Sequence, residues 1–289
     1  MDRSRWPASL PGIGRLVRMA IEEDLGTGDI TTDPLIPPEA LGEAEIRAKA
    51  PLVLAGLEVA RMVFRELDPT VEFTPLRGDG DQLDDGDTIC RVSGRMRTLL
   101  TGERTALNFL QRLSGVATHV RRHVEILSGR PVRLVDTRKT TPGWRVLEKY
   151  AVRVGGASNH RMNLSDGVLI KDNHIAACGG IAPAVQRARE ACGHLQRIEV
   201  EAADMRQVRE ALQSGADIIM LDNMDLDGIR EAVDLIAGRA LVEVSGGVTR
   251  DRLPALAATG VDIISCGALT HSAVAVDISM SIKAAGRKH

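Results

Sequence analysis

From Arg130 onward the chain repeats one rhythm: a short apolar run, a polar turn, then an amphipathic stretch. The runs are VRLVD (132–136), GVLIK (167–171), RIEVE (197–201), DIIML (217–221), ALVEV (240–244) and VDIIS (261–265). Continuous apolar strands separated by helical periodicity predict a parallel sheet covered by helices. The later runs recur at a nearly even spacing, which suits a (β/α) barrel. Such a barrel builds its site at the C-terminal strand ends. There the sequence places Asp136-Thr137-Arg138-Lys139, Lys171, Glu199 and Glu201, Asp222-Asn223, Ser245-Gly246-Gly247 and Cys266-Gly267. The two late glycine loops occupy places where barrels bind phosphate through backbone N–H groups.

The stretch 136–174 concentrates cations: Arg138, Lys139, Arg145, Lys149, Arg153, His160, Arg161, Lys171 and His174. Its acids are Asp136, Glu148, Asp166 and Asp172. Arg138-Lys139 and His160-Arg161 fall beside turn residues, so the pattern points to a pocket for a polyanionic small molecule. The formal net charge of -2 sets this excess apart from a general basic surface and argues against nucleic-acid binding. An aromatic content of 2%, with none after Tyr150, removes the stacking platforms that such binding uses. Cys90, Cys178, Cys192 and Cys266 form no CxxC pair and read as reduced thiols. No apolar run reaches the roughly 20 residues of a membrane span. A soluble, cytoplasmic protein without a membrane partner is expected.

Before the barrel rhythm, residues 13–24 have helical spacing, and Gly and Pro punctuate the connection that follows. Asp24 and Asp29 read as turn and cap residues. Alternating segments at 44–50 and 71–76, a helix at 57–67 and Asp-Gly turns through 78–94 predict a small domain built from hairpins. The Asp-rich run lacks the closing Glu of a calcium loop. Residues 101–127 read as one long helix or two abutting ones, with Gly115 as the weak point. Arg104 lies in its first turn, where the helix dipole disfavours a cation.

The segments GERTALNFLQRLSG, DTRKTTPGWRVLEKYAVRVGG, NHRMNLSDGVLIKDNH, IEVE, ADIIMLDN and VEVSGG, with the late SCG, resemble the quinolinate phosphoribosyltransferases. The resemblance covers nearly the whole chain, and EDLGTGDITT fits it as well. It implies an α/β protein: a small hairpin-rich α+β N-terminal domain (1–117, with the linking helix), then an incomplete (β/α) TIM-like barrel (118–289). Six strands are compatible with that barrel and leave room for one more. A last helix packing back on the N-terminal domain is expected.

The implied reaction joins quinolinate to 5-phosphoribosyl-1-pyrophosphate, giving nicotinate mononucleotide, pyrophosphate and carbon dioxide, with Mg2+ required. By resemblance, Arg104, Thr137, Arg138, His160, Arg161 and Lys171 hold the pyridine dicarboxylate and neighbouring anionic groups. Lys139 and Lys171 neutralise the pyrophosphate and reacting centre. Glu201 and Asp222 hold ribose hydroxyls and the associated magnesium; these four are the implied catalytic set. Ser245, Gly246, Gly247, Ser265, Cys266 and Gly267 cradle the 5-phosphate. The resemblance also implies a homodimer with shared active sites, with Arg104 supplied by the partner subunit, and leaves assembly into a hexamer open. Other readings are an aldolase using Lys171 as a Schiff base, a related protein of molybdenum gene clusters, and an anion-binding scaffold.

Overall fold

A computed structural model describes residues 12–284. The chain forms two compact units. Among the described residues, one holds 12–121, Thr141–Gly156 and 273–284; the other holds Arg122–Thr140 and Ala157–Ser272. This division differs from a single cut after residue 117, because the first unit recruits two later segments.

The first unit opens with α1 (Ile13–Leu25) and the single turn α2 (Thr32–Leu35), where Asp29 Oδ1 accepts from the N–H groups of Thr31 and Thr32. Then come β1 (Leu41–Ala48), β2 (Leu52–Val53), α3 (Leu57–Leu67), β3 (Glu72–Pro75), β4 (Gln82–Leu83) and β5 (Thr88–Arg95). In β1 the side chains of Ala44, Ile46 and Ala48 are buried while Glu43 and Arg47 are exposed, the period-two pattern of a half-buried strand. The Asp-rich run is turn chemistry. Asp79 accepts from the Gly56 and Leu57 N–H groups, Asp81 from Gly78 and Asp87 from Asp84.

Helix α4 (Met96–Ile126) is continuous through Gly115. A Cβ there would stand 2.2 Å from the Val274 carbonyl oxygen. Gly115 is therefore a point of close backbone approach, not a break. The strand β6 (Arg133–Val135) follows, and then α5 (Arg145–Gly155), which returns to the first unit. On α5 Glu148 is fully buried and accepts from Arg112 Nη2 at 2.7 Å, and the Tyr150 hydroxyl donates to Asp79 at 2.6 Å.

The second unit continues with β7 (Val168–Ile170), α6 (Asp172–Cys178), α7 (Ile181–Ala191), β8 (Ile198–Ala202), α8 (Met205–Gln213), β9 (Ile218–Asp222), α9 (Leu226–Ile236), β10 (Leu241–Ser245), α10 (Leu253–Ala257), β11 (Ile263–Ser265) and α11 (Ala268–His271). Its sheet is parallel, in the order β6-β11-β10-β9-β8-β7. The six expected strands are all present. Among the described residues, Val135 of β6 makes an isolated parallel bridge with Ser158, a vestige of one further strand. Leu134, Ile198, Val200, Ile219, Leu221, Val242, Val244 and Ile264 are buried in this unit, each burial being worth about 1.5–3 kcal/mol.

The last described element is β12 (Ile278–Ala284), a strand where a helix was expected. It pairs antiparallel with β1, completing a sheet of order β12-β1-β5-β3. The antiparallel sheet is as expected, but β1 lies between β5 and β12, and the second of these comes from the far end of the described chain. Among the described residues no helix is long and apolar enough to cross a membrane.

Candidate active site

A cleft of about 770 Å³ lies at the C-terminal strand ends of the second unit. It is in the size range of small-molecule sites. Each strand of the sheet contributes to it. The loop after β6 supplies Thr137, Arg138 and Lys139, and its shape is set locally. Lys139 N–H donates to Thr137 Oγ1 at 3.1 Å, and the Lys139 carbonyl accepts from Thr270 Oγ1 at 2.8 Å. Lys171 follows β7, and its backbone N–H donates to His174 Nδ1 at 3.0 Å. That bond makes His174 a cap for α6 and takes it out of the cleft lining. Glu201 and Asp222 come from the ends of β8 and β9, Ser245 from β10 and Ser265 from β11.

The cations Arg138, Lys139, Arg161 and Lys171 therefore converge with His160 on one concavity. Arg161 Nη1 donates to the Gly167 carbonyl at 2.9 Å. Burial, and then the neighbouring Arg138, lower the Arg161 guanidinium below its ordinary range. A site that raises the cost of its own positive charges is prepared for an anion. Across from them, Lys171 Nζ is 3.7 Å from Glu201 Oε2. Burial nonetheless raises the Glu201 carboxyl, Lys171 opposing the rise and Asp222 adding to it.

The glycine loops have steric reasons. Gly246 has φ 86°, and a Cβ there would lie 2.3 Å from Asn223 Oδ1 and 2.9 Å from its backbone nitrogen. Asn223 itself adopts φ 55°, which Asn tolerates, and donates its N–H to the Ser245 carbonyl. Gly267 lets Lys139 Cδ pass where a Cβ would meet it at 2.9 Å. Cys266 is buried, its thiol directed at the Val248 carbonyl at 3.6 Å, and it does not line the cleft. Burial raises that thiol above its usual range.

Of the residues implied by resemblance, the structure thus brings Thr137, Arg138, Lys139, His160, Arg161, Lys171, Glu201, Asp222, Ser245, Gly246, Gly247, Ser265 and Gly267 together. Arg104 is exposed on α4 in the first unit. Arg145, Lys149 and Arg153 of the cationic stretch also belong to the first unit, on α5.

Asn223, which the sequence places at a strand end beside Asp222, also lines the cleft, whereas sequence reasoning missed Glu243, Thr249 and His271. Glu243 sits at the centre of an apolar-looking run, and only the inward alternation of β10 marks it. It is 1% exposed, and Glu199 on β8 is 4% exposed. Burial, and then the adjacent Glu199, raise the Glu243 carboxyl to about 7. Both carboxylates meet His160: Nε2 is 3.0 Å from Glu199 Oε2 and 3.7 Å from Glu243 Oε1. From the other side Asp136, fully buried, accepts from the His160 backbone N–H at 2.9 Å and from Asn159 Nδ2 at 2.6 Å.

Residues 29–114 match the N-terminal domain of quinolinate phosphoribosyl transferase, and residues 116–281 match its C-terminal domain. A probable nicotinate-nucleotide pyrophosphorylase [carboxylating] of Bacillus subtilis is 48% identical over 260 residues, covering 90% of each chain. The chloroplastic nicotinate-nucleotide pyrophosphorylase [carboxylating] of Arabidopsis thaliana is 40% identical, over 92% of this chain and 82% of that one. The crystal structure of NadC from Streptococcus pyogenes superposes with a TM-score of 0.92 at 41% identity, over 97% of this chain and all of that one. With both domains matched in order, and the cleft built from the strand ends on which the family motifs fall, this chain belongs to the quinolinate phosphoribosyltransferase family.

Proposed function

We propose that the cleft joins quinolinate to 5-phosphoribosyl-1-pyrophosphate and releases nicotinate mononucleotide, pyrophosphate and carbon dioxide. The observation that carries this reading is the convergence of Arg138, Lys139, His160, Arg161 and Lys171 opposite Glu201 and Asp222 in one cleft. Both substrates are polyanions, and Arg grips a carboxylate with two parallel hydrogen bonds. Arg138, His160 and Arg161 hold the dicarboxylate. Lys139 and Lys171 face the pyrophosphate, and Gly246, Gly247 and Gly267 leave room for the 5-phosphate.

As the bond from the anomeric carbon to pyrophosphate breaks, that carbon gains positive character. Glu201 and Asp222 stabilise it electrostatically. The ring nitrogen donates its electron pair to the carbon and becomes a pyridinium. Carbon dioxide then leaves C2, and the electron pair left behind is stabilised by the adjacent cationic nitrogen until C2 takes up a proton. Positioning and charge supply the catalysis, and no covalent nucleophile is needed. The alternative of a Schiff-base Lys171 fits poorly, because its side chain is 48% exposed and lies against a carboxylate rather than in an apolar pocket.

The donor set fits a hard divalent cation. Glu201 and Asp222 offer carboxylate oxygens at neighbouring strand ends, close enough for Asp222 to help raise the Glu201 carboxyl. Magnesium held there would offset pyrophosphate charge. We further propose a cytoplasmic homodimer in which Arg104 reaches the partner subunit's cleft, a two-fold contact giving two equivalent sites. Incubating the protein with both substrates and Mg2+ tests the reading. Nicotinate mononucleotide is expected in the chromatogram, and its absence at high enzyme concentration would refute the assignment.

A further inference from the structure

The polar core beneath the cleft carries groups to which the proposed reaction gives no role. Glu199 and Glu243 are more than nine-tenths buried in the sheet interior, on β8 and β10. One oxygen of each, Oε1, is out of contact with solvent and has no hydrogen-bond partner. Burying two carboxylates side by side is costly, so packing alone does not account for the pair. Glu199 is absent from the cleft lining, and Glu243 contributes only part of it. What the pair shares is the imidazole of His160, with Nε2 at 3.0 and 3.7 Å from the two carboxylates.

The backbone of His160 is fixed independently through Asp136, which also takes the Asn159 amide. The main chain thus sets where the ring starts, and the carboxylates set how it turns. A carboxylate oxygen accepts, so Glu199 Oε2, 3.0 Å from Nε2, selects the ring form with hydrogen on Nε2. The partner of one ring nitrogen decides what the other presents, as in outer-shell carboxylates behind metal-bound histidines.

We propose that Glu199 and Glu243 are positioning residues for His160, the imidazole that meets the pyridine dicarboxylate: Glu199 fixes the hydrogen placement through Nε2, and Glu243, packed against the same edge, confines the ring plane. The assignment rests on the reading of the cleft as a quinolinate site. The two carboxylates act through His160 and do not touch the substrate's reacting atoms.

A double-mutant cycle with Glu199→Ala and His160→Ala tests this by calorimetric titration of quinolinate. Glu199→Ala alone should weaken quinolinate binding about tenfold, the low end of the cost of losing an orienting partner. In the His160→Ala background the same change should cost less than about twofold, because the group it acts through is gone. Affinity for phosphoribosyl pyrophosphate should stay within about twofold in the Glu199→Ala protein. Glu199→Gln should retain most of the quinolinate affinity, since its amide oxygen can still accept from Nε2. It also provides a folded protein if the alanine variant is unstable.

Nitrogen-15 spectra of the histidine rings in the substrate-free protein give a readout that a purely structural role would leave unmoved. His160 should show hydrogen on Nε2 in wild type and in Glu199→Gln, and lose that single form in Glu199→Ala. Additive losses in the cycle would overturn the proposal, as would unchanged ring spectra. One equivalent of a transition metal retained by the wild type and lost in Glu243→Gln would also overturn it, making the trio a metal site. The spectra do not depend on substrate, so failure of the wild type to bind quinolinate would refute the cleft assignment separately.

Discussion

Replacing Gly246 by alanine perturbs fold and site together, and the structure gives the size of the effect. The residue sits at φ 86°, where an L side chain costs roughly 1–2 kcal/mol. The new Cβ would also stand 2.3 Å from Asn223 Oδ1, 2.5 Å from its Cγ and 2.9 Å from its backbone nitrogen. The Asn223 side chain can swing away, but its backbone is held by the N–H donated to the Ser245 carbonyl at 3.1 Å. Overpacking of that kind costs about 1–3 kcal/mol, so the two effects together come to about 2–5 kcal/mol. At about 2–4 °C per kcal/mol for a protein near this size, the melting temperature should fall by on the order of 5–15 °C. If the loop instead relieves the clash by moving, the loss appears as a raised KM for phosphoribosyl pyrophosphate with quinolinate binding little changed. Gly193→Ala is the control: no atom lies within 4 Å of its added Cβ, so a change within about 0.5 kcal/mol is expected. Differential scanning calorimetry and steady-state kinetics read both outcomes. A Gly246→Ala protein that melts and binds phosphoribosyl pyrophosphate like wild type would refute the reasoning.

Three further predictions concern charge. The Glu243 carboxyl, raised from 4.5 to about 7 by burial and by Glu199 with His160 opposing, keeps its proton in the folded protein where the unfolded chain has lost it. Stability from this group is thus full below the unfolded value and is lost as pH climbs through about 7, by on the order of 1–3 kcal/mol; urea titrations at each pH should show this slope flattened in Glu243→Gln. Arg161→Lys should lose on the order of 2–5 kcal/mol of transition-state stabilisation despite keeping its charge, because lysine lacks the bidentate fork; near-normal kcat/KM would remove Arg161 from the site. Arg104→Ala and Lys171→Ala should each be nearly inactive alone, yet co-expressed subunits should recover roughly a quarter of wild-type activity through one intact composite site per mixed dimer. Verified mixed dimers without recovery would show that Arg104 does not act across subunits.

The second unit was legible because its strands are continuous apolar runs: 217–221 and 240–244 fall within one residue of β9 and β10. The positions after those runs became the cleft because parallel strands deliver their C-terminal ends to one side. Periodicity could not show which charged residues of the 136–174 stretch stay with the barrel. Arg145, Lys149 and Arg153 lie on α5, and that helix belongs to the other unit. Gly115 read as a weakness because the chain that passes it, at Val274, lies over 150 residues away in sequence. The same distance hid β12, whose register with β1 is a long-range pairing that local propensity does not encode. Glu243 stayed hidden between Val242 and Val244, since a single inward carboxylate barely alters an apolar run.

The pairing of β12 with β1 ties the end of the described chain to a strand made about 230 residues earlier. During synthesis at roughly 5–20 residues per second, β1 waits on the order of ten to fifty seconds for that neighbour. Its other neighbour, β5, arrives early, so for that interval one side of β1 is an open edge bearing unpaired N–H and C=O groups. Such an edge invites pairing with a second nascent chain. Glu43, Glu45 and Arg47 along β1 place charges on that edge and discourage it. A chain ending before Ile278 would keep that edge permanently, so a premature stop there should appear in a cell as aggregation before any effect on chemistry is seen.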